Sequence, residues 1–109
     1  MSATRATMVR MTTSFDVFQA SLSGAQPPSD VDSALKALWH AAKGDWGRAH
    51  ELAQAQDDAD GAWVHAYLHR VEGDQSNAGY WYRRAQKPHT KALSPDEWQE
   101  IARALLSRR

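Results

Sequence analysis

The sequence predicts an all-α protein, and three observations carry that prediction. Alanine and leucine dominate the apolar residues while β-branched residues are few, and Ala and Leu are strong helix formers. Apolar side chains recur at i, i+3, i+4 and i+7 in one segment after another. Glycines, prolines and acidic capping residues punctuate those segments at regular intervals, as helix ends require.

The first thirteen residues are polar and aperiodic, and a flexible leader is the expectation. Met8 and Met11 are further start candidates there. In SFDVFQASLSG, Phe15, Phe18 and Leu22 fall at helical spacing, enough for a short helix or a segment that docks apolar groups onto the body. Pro27 and Pro28 then break the chain, and Ser29 or Asp30 is placed to cap the next helix. Residues 1–28 are thus read as a flexible N-terminal segment, and 29–109 as the helical domain.

Five helices are expected in that domain. The first carries Val31, Leu35, Leu38, Trp39 and Ala42 on one stripe and stops at Gly44. The second carries Trp46, Ala49, Leu52 and Ala53 and runs out in the acidic QDDADG. The third, AWVHAYLHRVE, has Asp60 as its expected cap and stops at Gly73. The fourth, NAGYWYRRAQ, follows Ser76 and ends before Pro88. The last has Ser94 as cap, Pro95 in the first turn, and Asp96 and Glu97 at the positive end of the helix dipole. Trp98, Ile101, Ala102 and Leu105 form its apolar face.

Composition bounds the function. The 109 residues suit one domain. Thirteen basic residues balance thirteen acidic ones, so the basic footprint of a nucleic-acid binder is missing. No apolar run approaches the roughly 20 residues that cross a bilayer. The absence of cysteine excludes disulfides, thiolate chemistry and cysteine-based zinc sites, and suits a cytoplasmic location.

A shift of 29 residues lays LKALWHAAKGDWGRAHELA over VHAYLHRVEGDQSNAGYWY. Ala37 meets Ala66, His40 meets His69, Gly44 and Asp45 meet Gly73 and Asp74, and Ala49 meets Ala78. The Gly-Asp pair serves a tight turn, and the alanines let two antiparallel helices approach closely. With Tyr82 and Ala85 following, this pattern resembles the tetratricopeptide and Sel1-like helix–turn–helix repeats over roughly residues 31–88. The GDW..AHELAQ and WVHAYLHR segments also resemble those of a small bacterial group of such proteins. The resemblance implies a right-handed stack of two tetratricopeptide-like hairpins with the C-terminal helix as cap. It also implies a small binding or adaptor module for protein or peptide partners. If either end of the stack is left uncovered, a homodimer is the expected remedy.

Three groups of residues bear on chemistry. His65, His69 and Glu72 share one helical face, and imidazoles one turn apart can chelate zinc or nickel. The zinc-protease pattern is excluded, because Ala66 stands where it needs a glutamate. His40 or His50 could join only if the hairpins bring them close. The equivalence of His69 with His40 favours the plainer reading, histidines packed and hydrogen-bonded between helices. The acidic QDDADG matches part of a calcium loop but fails at both ends, at Gln56 and Tyr67. Tyr80, set away from Trp81 and Tyr82, is the candidate partner contact together with Arg83 and Arg84. Trp39, Trp46, Trp63 and Trp81 are assigned to the core.

No Ser–His–Asp set, paired acid/base carboxylates or phosphate-cradling loop is readable, so no cofactor is expected and the favoured reading is non-catalytic. The alternative is a metal- or small-ligand-binding protein, an enzyme included, centred on the His65/His69/Glu72 face. A purely structural homo-oligomer is the third.

Overall fold

The computed structural model describes residues 13–89 and 96–108. Among them are six α-helices and no strand: α1 (Phe15–Ala20), α2 (Ser33–Ala42), α3 (Trp46–Ala55), α4 (Ala59–Val71), α5 (Gln75–Ala85) and α6 (Glu97–Ser107). A single 3₁₀ turn, Ser21–Ser23, follows α1. No helix among the described residues is long and apolar enough to cross a membrane.

Helices α2 and α3 form one hairpin and α4 and α5 a second, and α3 packs on α4. The two hairpin turns are the same motif. In the first, Asp45 N–H donates to the His40 carbonyl and Gly44 N–H to that of Ala41; in the second, Asp74 donates to His69 and Gly73 to Arg70. That 6→1 and 5→2 pattern closes a helix with a left-handed residue, and Gly44 (φ 83°) and Gly73 (φ 87°) supply it. Each turn's aspartate then caps the next helix, Asp45 accepting from Arg48 N–H and Asp74 from Asn77 N–H. The Gly-Asp pairs spaced 29 residues apart therefore do identical backbone work.

The caps correct several sequence expectations. Asp32, not Ser29 or Asp30, caps α2, and Asp74, not Ser76, precedes α5. Asp58 caps α4 by accepting from Gly61 N–H, so the helix starts ahead of Asp60. Asp60 lies in the first turn and pairs instead with Arg108. Gln56 explains why the QDDADG loop has this form: its Oε1 accepts from Ala34 N–H while its Nε2 donates to Asp32 and Asp58. One side chain thus ties the starts of α2 and α4 together. The expected cap Ser94 and first-turn Pro95 lie outside the described residues, as do Met8 and Met11.

The core gathers Phe18, Leu35, Leu38, Trp39, Val64, Leu68, Ile101 and Leu105 between α1, α2, α4 and α6. Phe18 is fully buried and stacks on Trp98 at 5.8 Å, so α1 is part of the core. Trp98 also donates from Nε1 to the Leu38 carbonyl at 2.8 Å. Of the four tryptophans assigned to the core, Trp39 is buried, Trp46 and Trp63 are half-buried at its margin, and Trp81 is half-buried against a smaller cluster of Ala66, Ala78 and Tyr82. Ala42, placed on the α2 stripe by periodicity, is exposed, and Ala34, Ala37 and Ala41 are buried instead.

Helix α6 is attached through a buried polar network rather than by apolar contact alone. Arg70 on α4, only 3% exposed, donates from an Nη to Glu97 Oε1 at 2.7 Å. The Tyr82 hydroxyl on α5 donates to the other oxygen of Glu97. Burial pushes the Tyr82 phenol up, with the hydrogen bond and charge of Glu97 adding to it. Glu97 was expected to serve the helix dipole; its larger role is to anchor α6 to the second hairpin.

Candidate metal centre

The seam between α3 and α4 brings three histidines together. His50 comes from α3, His65 and His69 from α4, and one ring nitrogen of each lies within 4.8 Å of those of the other two. Tetrahedral ligands 2.0–2.1 Å from zinc stand about 3.3 Å apart, so the ligand atoms would have to draw together by up to about 1.5 Å to close the site. His65 and His69, one turn apart, stack at 4.8 Å with 24° between planes, and His50 meets them edge-on at 5.6 and 5.2 Å.

Each imidazole is held differently. His50 Nδ1 lies 3.0 Å from the Trp46 carbonyl oxygen. A carbonyl only accepts, so the proton is on Nδ1 and Nε2 is left with its lone pair free for a ligand. His65 is 3% exposed and sandwiched between His69 and the Trp81 ring at 4.1 Å. Burial, then the neighbouring His69 and His50, lower its pKa to about 4, so at neutral pH it is uncharged, as a metal ligand must be. His69 Nδ1 is buried with no hydrogen-bond partner.

Two carboxylates border the cluster. Glu72, the C-cap residue of α4, places Oε1 3.8 Å from His50 Nε2 and 3.8 Å from His69 Nδ1. Asp74 places Oδ2 3.6 Å from His69 Nδ1. Hydrogen bonds from the Asn77 side chain and backbone hold the Asp74 carboxyl below its usual range. The carboxylates lie beyond hydrogen-bond reach of the rings but near enough to balance a cation.

Of the face read from sequence, the structure thus keeps His65, His69 and Glu72 together and adds His50. His50 follows Trp46 by four residues and precedes Ala53 by three, which puts it beside the buried Ala49/Ala53 stripe of α3. That position was the available signal, and it points inward only once α3 is known to pack on α4. His40, equivalent to His69 in the repeat, stays outside the cluster; burial lowers its pKa too, against the raising effect of Asp45.

The second candidate group lies on α5. Tyr80 is 44% exposed. Arg84 donates from Nη1 to its hydroxyl at 3.2 Å, sets its guanidinium 5.2 Å from the Trp81 ring centre, and approaches Asp57 at 3.7 Å. Arg83 is exposed. A cavity of about 210 Å³ opens beside this group, lined by Gln54, Gln56, Asp57, His65, Trp81 and Arg84. His65 is the member of the cluster that reaches it. Comparison with family models, curated proteins and solved structures gives no match to this chain.

Proposed function

We propose that this chain binds a divalent transition-metal ion, zinc by preference, through His50, His65 and His69, on a two-hairpin scaffold of the tetratricopeptide/Sel1 kind. One observation carries the metal reading: three imidazoles from two hairpins converge, one with its tautomer fixed by a backbone carbonyl and one kept neutral by burial. Nitrogen ligands suit zinc, cobalt and nickel, and a four-coordinate sphere favours zinc. The identical Gly-Asp turns at 29-residue spacing support the repeat reading. The role is binding rather than catalysis.

Calorimetric titration of the full chain with zinc and nickel tests this. We expect one-to-one binding at micromolar affinity or tighter, weakened at least about tenfold by His50→Ala. Absence of binding, or affinity indifferent to His50→Ala, would overturn it.

A second reading, an adaptor for protein or peptide partners, is favoured by the exposed Tyr80 with the Arg84 guanidinium near its ring, at 5.9 Å. Tyr and Arg are the residue types that anchor interfaces. Peptides selected on the wild-type chain should be lost on Tyr80→Ala, Arg83→Ala or Arg84→Ala. Retention on all three removes this face.

A further inference from the structure

We infer that the Glu72 carboxylate is the fourth ligand, so that the ion sits in a closed three-nitrogen, one-oxygen sphere and braces the two hairpins against each other. This deepens the metal reading proposed above and rests on it.

The geometry around Glu72 Oε1 carries the inference. That oxygen is equidistant, at 3.8 Å, from His50 Nε2 and His69 Nδ1. In the neutral ring His50 Nε2 carries no proton, because Nδ1 donates to Trp46. Two bare acceptors therefore face each other across a gap too wide for a hydrogen bond and of the size that a shared cation fills. His69 Nδ1, buried and without a hydrogen-bond partner, stands at the same distance from the same oxygen. The backbone already holds Glu72 in place, since its N–H donates to the Leu68 carbonyl at 3.1 Å.

Charge and access agree with closure. Three neutral imidazoles leave the full double charge of the ion in a half-buried seam, and Glu72 halves it, with Asp74 beside His69 as an outer-sphere acid. A catalytic three-histidine site needs an open fourth position facing a space for substrate. The cavity beside Trp81 and Arg84 is lined by His65 but not by His50, His69 or Glu72. The Glu72 carboxylate borders the cluster on the side shared by His50 and His69. Because His50 belongs to the first hairpin and the other three ligands to α4 and its C-cap, the bound ion spans the α3–α4 connection. Tetrahedral N₃O ligation suits zinc and cobalt(II) and disfavours the tetragonal preference of copper(II).

Cobalt(II) titration of the full chain, read by visible absorption, tests the assignment. The wild type should show the intense bands of a four-coordinate ion. Glu72→Gln, an exposed change whose fold is checked by circular dichroism, should bind at least about tenfold more weakly and show the weak bands of a five- or six-coordinate ion that has gained water. Equal affinity and an unchanged spectrum in Glu72→Gln would overturn the fourth-ligand assignment and leave the three-histidine reading standing. Failure of the wild type to take up cobalt or zinc would overturn both. The brace is read separately: zinc should slow amide exchange across residues 55–59 in the wild type, and unchanged exchange with bound zinc would remove it.

Discussion

Acidifying the metal-free protein should destabilise it through His65. Its folded pKa is lowered from 6.5 to about 4, first by burial and then by His69 and His50. A lowered pKa on a base means that the unfolded chain takes the proton first. The stability is therefore complete above pH 6.5 and is lost as the pH falls from 6.5 towards 4. The whole shift corresponds to about 3 kcal/mol at most, at 1.36 kcal/mol per pKa unit. Between pH 7 and 5 the linkage relation gives a loss of about 2 kcal/mol. The other titrating groups facing the ring are His50, His69 and, beyond them, Glu72 and Asp74. The ordinary carboxylate range lies below pH 5, and the Asp74 carboxyl is held lower still. His40, also lowered, adds a smaller loss of the same sign. Urea denaturation in the presence of chelator at pH 7 and pH 5 measures the effect, and His65→Leu should flatten most of it. A pH response in His65→Leu as large as that of the wild type would show that His65 is not the group concerned. So would a wild type whose stability does not change across the window.

Two further perturbations report on the scaffold that holds the seam. Glu97→Ala leaves the Arg70 charge buried without its carboxylate and should cost about 3–5 kcal/mol. Tyr82→Phe removes one hydrogen bond to a charged group and should cost about 1.5–3 kcal/mol. Both are read by urea denaturation, and a near-neutral Glu97→Ala would refute the anchoring role given to the network. Gly61→Ala would place a Cβ 1.9 Å from the Gln56 carbonyl oxygen, backbone against backbone. It should cost at least about 1–3 kcal/mol, and an unchanged melting temperature would show that the α3–α4 connection yields more easily than its packing implies.

How much was legible in the sequence depends on the range over which each signal acts. Helix periodicity and the Gly-Asp turns are local, and both were readable. The caps were less so, because Asp and Ser are dense at each boundary and the choice between Asp58 and Asp60 turns on which backbone N–H each can reach. Ala42 falls on the apolar stripe of α2 by spacing yet is exposed, since helical position alone does not say how far a partner helix extends. The buried Arg70–Glu97–Tyr82 network was invisible. Its members stand 27 and 15 positions apart, and each taken alone reads as an ordinary surface or core residue. His50 could be named only as a conditional ligand, beside His40, for the same reason: it acquires meaning from a contact between hairpins, not from its own segment.

That dependence explains why the duplicated hairpin carries the cluster once. His69 has its counterpart in His40, but Lys36 and Lys43 stand where the second copy has His65 and Glu72, and Gly79 stands 29 residues beyond His50. A metal centre of this form needs the second helix of one copy against the first helix of the next, and two copies make one such seam. The position held by Glu72 does different work in the first copy. There Lys43 sends its ammonium to the Leu22 and Gly24 carbonyls, at 2.5 and 3.1 Å, and so ties the turn after α1 to the end of α2. The same C-cap position thus presents a cation to backbone carbonyls in one copy and a carboxylate to imidazoles in the other. Turn geometry fixes where the C-cap side chain starts and leaves its charge free. The duplicated turn therefore accounts for the placement of His69 and Glu72, whereas the chemistry of the seam comes from three residues the two copies do not share in register: His50, His65 and Glu72.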